Sequence, residues 1–445
     1  MVRHVEAKPL SDADIDALFR PLVRGVGSAT WLLAVSGGAD SIAMMHLAAE
    51  WVRRHPQAGV ALAVATVDHG LRPESAAEAA AVGAAAVALG LAHETLAWSG
   101  DKPQTGVQAA ARSARYALLR ACAGRQVRQP AHILTAHTAD DQAETLLMRL
   151  ARGSGVDGLA AMRPERVLPG SQIRHVRPLL DVPKVRLIAT LRARGIGWSE
   201  DPSNANDKFE RIRIRRLLPV LAQAGIDVNA IGLSTRRLDR ASAALDDLAG
   251  HLWDRAVTAH QGAFMAIERR AFDASPPELR VRLLIRAVAA MGAAMGEPGV
   301  APNLAQIEDV VVALNERILP ARTLNGAVVL ATAATISVFR EAGRRGLPVI
   351  DLAPGHNAAW DGRFAVDLAA RASAPVVVRA LSASEWSQLR RRFALHPAQM
   401  PARAAWALPS FWRGPELISV PWFGTLSNTL HRESRWCRAE QIGPA

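Results

Sequence analysis

Between Trp31 and Arg152 the chain alternates short apolar runs with Ala- and Leu-rich helical segments, and this alternation restricts the possible folds more than any other feature. The apolar runs are Trp31 to Val35, Val60 to Val67 and His132 to Ala136; the helical segments are Ser41 to Arg53, Ser75 to Leu89, Gln108 to Ala123 and Asp140 to Arg152. Strands that alternate with helices predict βαβ units and an α/β domain built on a doubly wound parallel sheet. In such a sheet, ligands collect beyond the carboxyl ends of the strands, where the helices begin. The residues at those ends are therefore the first candidates for chemistry.

Beyond Arg152 the pattern changes. GSGVDG is a turn-rich break, and the stretch from Met162 to Arg216 carries 13 Lys and Arg against 6 Asp and Glu. Leucine, alanine and arginine at helical spacing from Leu217 to about Asn315 predict a helical domain. Thr323 to Glu341 reads as strands with a turn at Asn325-Gly326. The segment after Gly346, rich in Val, Pro and Trp, predicts a small mixed α/β or β-rich module. A chain of 445 residues exceeds what one core organises. The boundaries expected are 1–216, 217–345 and 346–445.

The net charge of +12 suits a polyanionic partner such as nucleic acid, although an arginine-rich composition with only Lys8, Lys102, Lys184 and Lys208 also fits a compositional bias. Cys122 and Cys437 form no CxxC, which argues against a disulfide framework, a zinc knuckle or a paired-thiol mechanism. The first residues lack the apolar core of a signal peptide. Apolar stretches such as Leu324 to Phe339 are too short or interrupted to span a bilayer, so a cytoplasmic protein with no membrane partner is expected.

The junction AVSGGADSIAMMHL, from Ala34 to Leu47, has the parts of an anion site. Gly37 and Gly38 allow close backbone approach, and the Ser36 and Ser41 hydroxyls with the start of a helix can surround a phosphate. No lysine follows the glycines, so this is not a GxxxxGK[ST] loop. Asp40 would repel a phosphate unless a cation lay between them, and Mg²⁺, which takes few carboxylates plus substrate oxygens, answers that need. The alternative is an ordinary loop in which Asp40 favours the helix start by ~0.3–1 kcal/mol.

Four further constellations stand out. Asp68 and His69 end the second apolar run, beside the first loop in a doubly wound sheet, and Arg72 follows; these residues could meet a nucleotide and a phosphate, or simply bond to each other and to nearby backbone. Arg112 and Arg115 share one helical face and suit a phosphate that gains charge as a bond breaks. Thr138 and Asp141 form a capping box, while Glu144, three residues past Asp141 and four past Asp140, has no capping role; three acids on one helix start would hold an ammonium. Arg211, Arg213, Arg215 and Arg216 crowd six residues and are either a solvated face or phosphate contacts.

SGGxDS after the first strand resembles the pyrophosphate-binding loop of the ATP pyrophosphatases, with their adenine nucleotide alpha hydrolase-like fold. VDHGLRPES, GVQAAARSARY, TAHTADDQAETLLMRLARGSGVDGLAAM, RPLL and WSEDPSNANDKFERIRIRRLLP resemble, in the same order, the tRNA(Ile)-lysidine synthetases within that group. The resemblance covers most of residues 30 to 220. It implies ATP bound by Ser36, Gly37, Gly38, Ala39, Asp40, Ser41, Asp68 and His69, with Asp40 holding Mg²⁺. It further implies Arg112 on the phosphate, Asp141 and Glu144 on L-lysine, and tRNA(Ile) bearing CAU against Arg72, Arg211, Arg213, Arg215, Arg216 and the two later domains. Asp40, Arg112 and Asp141 are the implied catalytic residues. His137-Thr138 replaces the family's paired histidines, and Glu200, Asp201 and Asn204 match it without a role legible from spacing. A related tRNA-modifying or amidating enzyme, or an inactive RNA-binding relative, is the alternative. Oligomeric state, a homodimer included, is left open.

Overall fold

The computed structural model describes residues 7–23, 29–70, 75–100, 102–103, 105–126, 131–168, 171–199, 210–292, 303–316, 321–343, 346–392, 400–423 and 437–441. Arg72, Glu200, Asp201 and Asn204 lie outside them. The chain divides into two compact units, Met1–Ala243 and Ala244–Ala445.

The first unit is built on β1 (Ala29–Ala34), β2 (Val60–Asp68), β3 (Ala92–Ala97), β4 (Ala131–Thr135), β5 (Glu165–Val167) and β6 (Arg174–Val176), in the order β3-β2-β1-β4-β6-β5. All pairings are parallel except the antiparallel edge between β5 and β6. The sequence ATWLLA makes β1 a central strand because it is apolar on both faces. Its helices are α1 (Asp12–Phe19), α2 (Ala39–Arg54), α3 (Ser75–Ala88), α4 (Val107–Gly124), α5 (Ala139–Leu150), α6 (Val156–Leu159), α7 (Lys184–Ala193), α8 (Glu210–Gln223) and the start of α9 (Val228–Ala256). On one face of β1, Trp31 stacks on Trp51 of α2 at 5.5 Å and on Phe19 of α1 at 5.7 Å, in a core shared with Val82 of α3 and Leu187 of α7. On the other, Leu32 packs with Leu119 and Cys122 of α4. Alternate strand residues point to opposite faces, so this split follows directly from the strand sequence.

Strand order reverses direction between β1 and β4, whose registered ends are Ala34 and Thr135. That switch point opens a crevice between the loop after β1 and the loop after β4. The doubly wound parallel sheet expected from sequence is present.

The second unit keeps helices expected within 217–345 and adds strands outside those expected over Thr323 to Glu341. Its first part is a five-stranded antiparallel sheet of β7 (Val257–His260), β8 (Phe264–Glu268), β9 (Arg322–Leu324), β10 (Ala327–Ala331) and β11 (Thr335–Arg340), ordered β7-β8-β11-β10-β9. The helices α10 (Arg269–Asp273), α11 (Pro277–Gly292) and α12 (Leu304–Asn315) intervene, with Leu284, Val288, Ile307 and Val311 packed against Met265, Ile267, Val329 and Val338. The hairpin between β7 and β8 turns at Gln261-Gly262, both at positive φ, as does the Asn325-Gly326 turn expected from sequence. A second core, around Trp360, Phe364, Phe411 and Trp412, also takes in Phe264 and Phe339, so packing bridges positions 345 and 346. Likewise the compact division falls within α9, whereas the sequence boundary separated residue 217 from 216. Both cysteines are buried, and neither forms a disulfide among the described residues. No single helix among the described residues is long and apolar enough to cross a membrane.

Candidate active site

The loop after β1 is shaped by its glycines and serines. Gly37 has φ +90°, a left-handed conformation that a Cβ disfavours, and its carbonyl accepts the Ser199 N–H at 3.0 Å. The Ser41 hydroxyl accepts the Ser36 N–H at 3.2 Å and donates to the Gly38 carbonyl at 2.9 Å. Gly38 is the N-cap of α2 and supplies no side-chain acceptor, so the first-turn N–H groups are left without a side-chain cap. Such a helix start attracts an anion through its exposed donors and the positive end of its dipole.

Asp40 lies in the first turn of α2 and receives Lys184 Nζ on Oδ2 at 3.1 Å. Its other oxygen, Oδ1, is buried with no partner among the described residues. Burial pushes the Asp40 carboxyl above the usual aspartate range, against the pull of Lys184. Lys184 also donates its backbone N–H to Asp140 Oδ2 at 2.7 Å, so one residue ties the β1 loop to the start of α5. A loop without its own lysine thus gains one from 144 positions away. The sequence signal for Lys184 was slight: it is one of four lysines and follows the RPLL block.

At the end of β4, Thr138 caps α5 as expected: its N–H and hydroxyl donate to Asp141 Oδ2 at 2.8 and 3.0 Å. Asp141 Oδ1 pairs with Arg211 Nη2 at 2.6 Å. Glu144 is fully buried and is held by Arg211 Nε and, at 2.7 Å, by Arg215 Nε. The acids that resemblance gives to lysine and two arginines that it gives to tRNA are therefore partners, through the packing of α8 on α5. Arg213 and Arg216 are exposed on α8.

Other expected residues occupy the same rim. Asp68 Oδ1 accepts the Gly70 N–H at 2.8 Å and the Ser75 hydroxyl at 2.7 Å, which holds its carboxyl below the usual range. This is the local bonding that the sequence left open for Asp68. His69 accepts from Arg115 Nη2 at 3.3 Å. Arg112 lies over the Tyr116 ring at 5.3 Å, and that ring lies 5.1 Å from His175. His137 is held at about 4 by burial, so its imidazole is neutral near pH 7.

The glycine-shaped loop after β1 and the Lys184-paired carboxylate beside it lie at the switch point of a parallel sheet, and the chain matches the PP-loop domain family, an ATP-using class, over residues 10–221. A tRNA(Ile)-lysidine synthase of Rhodopseudomonas palustris is 45% identical over 326 residues, covering 71% of this chain and 91% of that protein. Those of Bradyrhizobium diazoefficiens and Ruegeria pomeroyi are 44% and 40% identical over 78% and 88% of this chain, and 94% and 88% of their own lengths. The chain belongs to the tRNA(Ile)-lysidine synthase family.

Proposed function

We propose that the crevice between β1 and β4 joins L-lysine to C2 of the wobble cytidine in a tRNA(Ile) with the anticodon CAU. ATP is consumed to AMP and pyrophosphate through an adenylated cytidine. The observation that supports this reading is the α2 start without a side-chain cap, after the glycine-shaped loop of residues 36–41, in a chain whose relatives are lysidine synthases along most of its length.

The loop grips the β and γ phosphates through the α2 first turn and the Ser36 and Ser41 hydroxyls. The cytidine C2 oxygen attacks the α-phosphate, and the bond to pyrophosphate breaks. Arg112, with its fixed positive charge on the rim, opposes the negative charge that develops on the phosphate. The partnerless Asp40 Oδ1 fits a single protein ligand to Mg²⁺; among the described residues no group of three or more His, Cys, Asp or Glu could hold a metal alone. When bound, Mg²⁺ would neutralise the phosphate oxygens and stabilise the leaving pyrophosphate.

In the second step an amine of L-lysine forms a bond to C2, the C2–O bond breaks, AMP leaves with its electron pair and the amine loses a proton. Asp141 and Glu144 supply the negative charge for a lysine ammonium, which takes the place that Arg211 and Arg215 hold in this structure. The displaced guanidiniums, with Arg213, Arg216 and Arg72, meet tRNA phosphates. Asp68 and His69 border the nucleoside end of ATP.

Pyrophosphate release by the purified chain tests this. Release is expected with tRNA(Ile) bearing CAU, and lysidine forms when lysine is added. A tRNA whose wobble base is not cytidine should give at most about 1% of that rate, the loss of one required base contact and of the nucleophile together. Lysine-dependent turnover of a tRNA without the wobble cytidine overturns the reading.

A further inference from the structure

Beneath the crevice, four side chains form a hydrogen-bonded line whose direction is fixed at one end. Arg177, buried at the end of β6, donates Nη1 to the Arg163 carbonyl at 2.7 Å and Nη2 to His175 Nδ1 at 3.3 Å. His175 Nε2 meets Thr135 Oγ1 at 2.8 Å, and the same hydroxyl meets His137 Nδ1 at 2.9 Å. His175 is completely buried and Thr135 nearly so, while His137 is half-buried at the crevice.

A guanidinium has donors only, so His175 Nδ1 must accept. The one proton of a neutral imidazole then sits on Nε2 and is donated to Thr135. The Thr135 hydroxyl has no other acceptor among the described residues, so its hydrogen goes to His137 Nδ1. His137 consequently carries its own proton on Nε2, the nitrogen that makes no hydrogen bond to a described residue. Reversing the line would bring two N–H groups together at Arg177, or leave a buried hydroxyl hydrogen without an acceptor.

We propose that Thr135 and His175 are positioning residues that lock His137 as its Nε2–H tautomer, so that His137 presents a donor to a phosphate oxygen in the crevice and is not the base that takes the lysine proton. The role rests on the reaction proposed above; the tautomer itself does not. The surroundings agree. Burial, with Arg177, Arg112 and Arg211 opposing Asp141, holds His137 at about 4, and burial with Arg177, Arg166, His137 and Arg112 holds His175 down at about 2, so neither ring is charged at pH 7.

Long-range ¹H–¹⁵N correlation spectra of the full chain labelled with ¹⁵N-histidine, with His137 assigned by the signal missing in His137→Gln, read the tautomer directly. The expected result is a neutral Nε2–H ring at pH 7 that remains neutral to about pH 5. Thr135→Val should release the tautomer preference and lower kcat by about 10- to 100-fold with the KM for ATP within about twofold, whereas Thr135→Ser keeps both. An Nδ1–H ring or an imidazolium at pH 7 in the unmodified chain overturns the proposal and needs no variant to fold. An Nε2–H ring combined with a folded Thr135→Val of unchanged kcat overturns the positioning role. If the unmodified chain makes no lysidine, the proposed reaction fails while the tautomer result still stands or falls by the spectrum.

Discussion

Asp40→Asn lowers pyrophosphate release by about 10³-fold or more, while tRNA affinity and its dependence on salt stay within about twofold of the parent. The two halves of this expectation have separate causes. Asp40 Oδ1 is a buried acceptor with no partner among the described residues, beside the start of α2 and the Lys184 ammonium. An oxygen kept in that state has the chemistry of a cation ligand, and asparagine keeps its size while removing its charge. The substitution leaves every residue proposed to meet tRNA in place. Stability should change by less than about 1 kcal/mol, because the Lys184 partner is more than a third exposed and such pairs contribute little. Pyrophosphate release, filter binding and thermal melting of one preparation separate these outcomes. Full activity removes Asp40 from the metal site; a melt lowered by several kcal/mol would mean that Asp40 serves the fold.

The double substitution Arg211→Ala with Arg215→Ala costs about 3–5 kcal/mol of stability in the first unit, because it leaves Glu144, fully buried, without either cation. Adding Glu144→Gln to that background recovers most of the loss, since a neutral amide carries no unpaired charge. Urea unfolding of the double and triple variants reads both steps. The experiment also bears on function. If a lysine ammonium takes the place of the guanidiniums, millimolar lysine stabilises the double variant and leaves the triple variant unchanged. A double variant as stable as the parent would mean that water reaches Glu144, and the pairing between α5 and α8 would then have no energetic role.

What the sequence disclosed, and what it did not, divides along the range of the interactions. The β1, β2 and β4 strands were legible because strands covered on both faces need unbroken apolar runs, which TWLLAV, VALAVATV and HILTA supply. At the sheet edge, β3 was not legible: AHETLA buries only Leu96, so it lacks both an apolar run and a clear alternation. The hairpin of β7 and β8 was hidden between helices by its shortness, with its turn carried by Gln261 rather than asparagine. The β1 loop and the Thr138 capping box, both local, were evident from spacing alone. Lys184 on Asp40, Ser199 on Gly37 and Arg211 on Asp141 join positions far apart in sequence, so no local pattern announces them. The His137, Thr135, His175 and Arg177 line likewise crosses from β4 to β6 and exists only once those strands pair.

The most direct test of the proposed chemistry follows one oxygen atom. A tRNA(Ile) prepared with ¹⁸O at C2 of its wobble cytidine is turned over with ATP and lysine, and the AMP is examined by mass spectrometry. Attack of that oxygen on the α-phosphate and its later departure from C2 predict one ¹⁸O in each AMP and none in the lysidine. Unlabelled AMP beside labelled tRNA would contradict the adenylated cytidine, and with it the catalytic role of the crevice between β1 and β4.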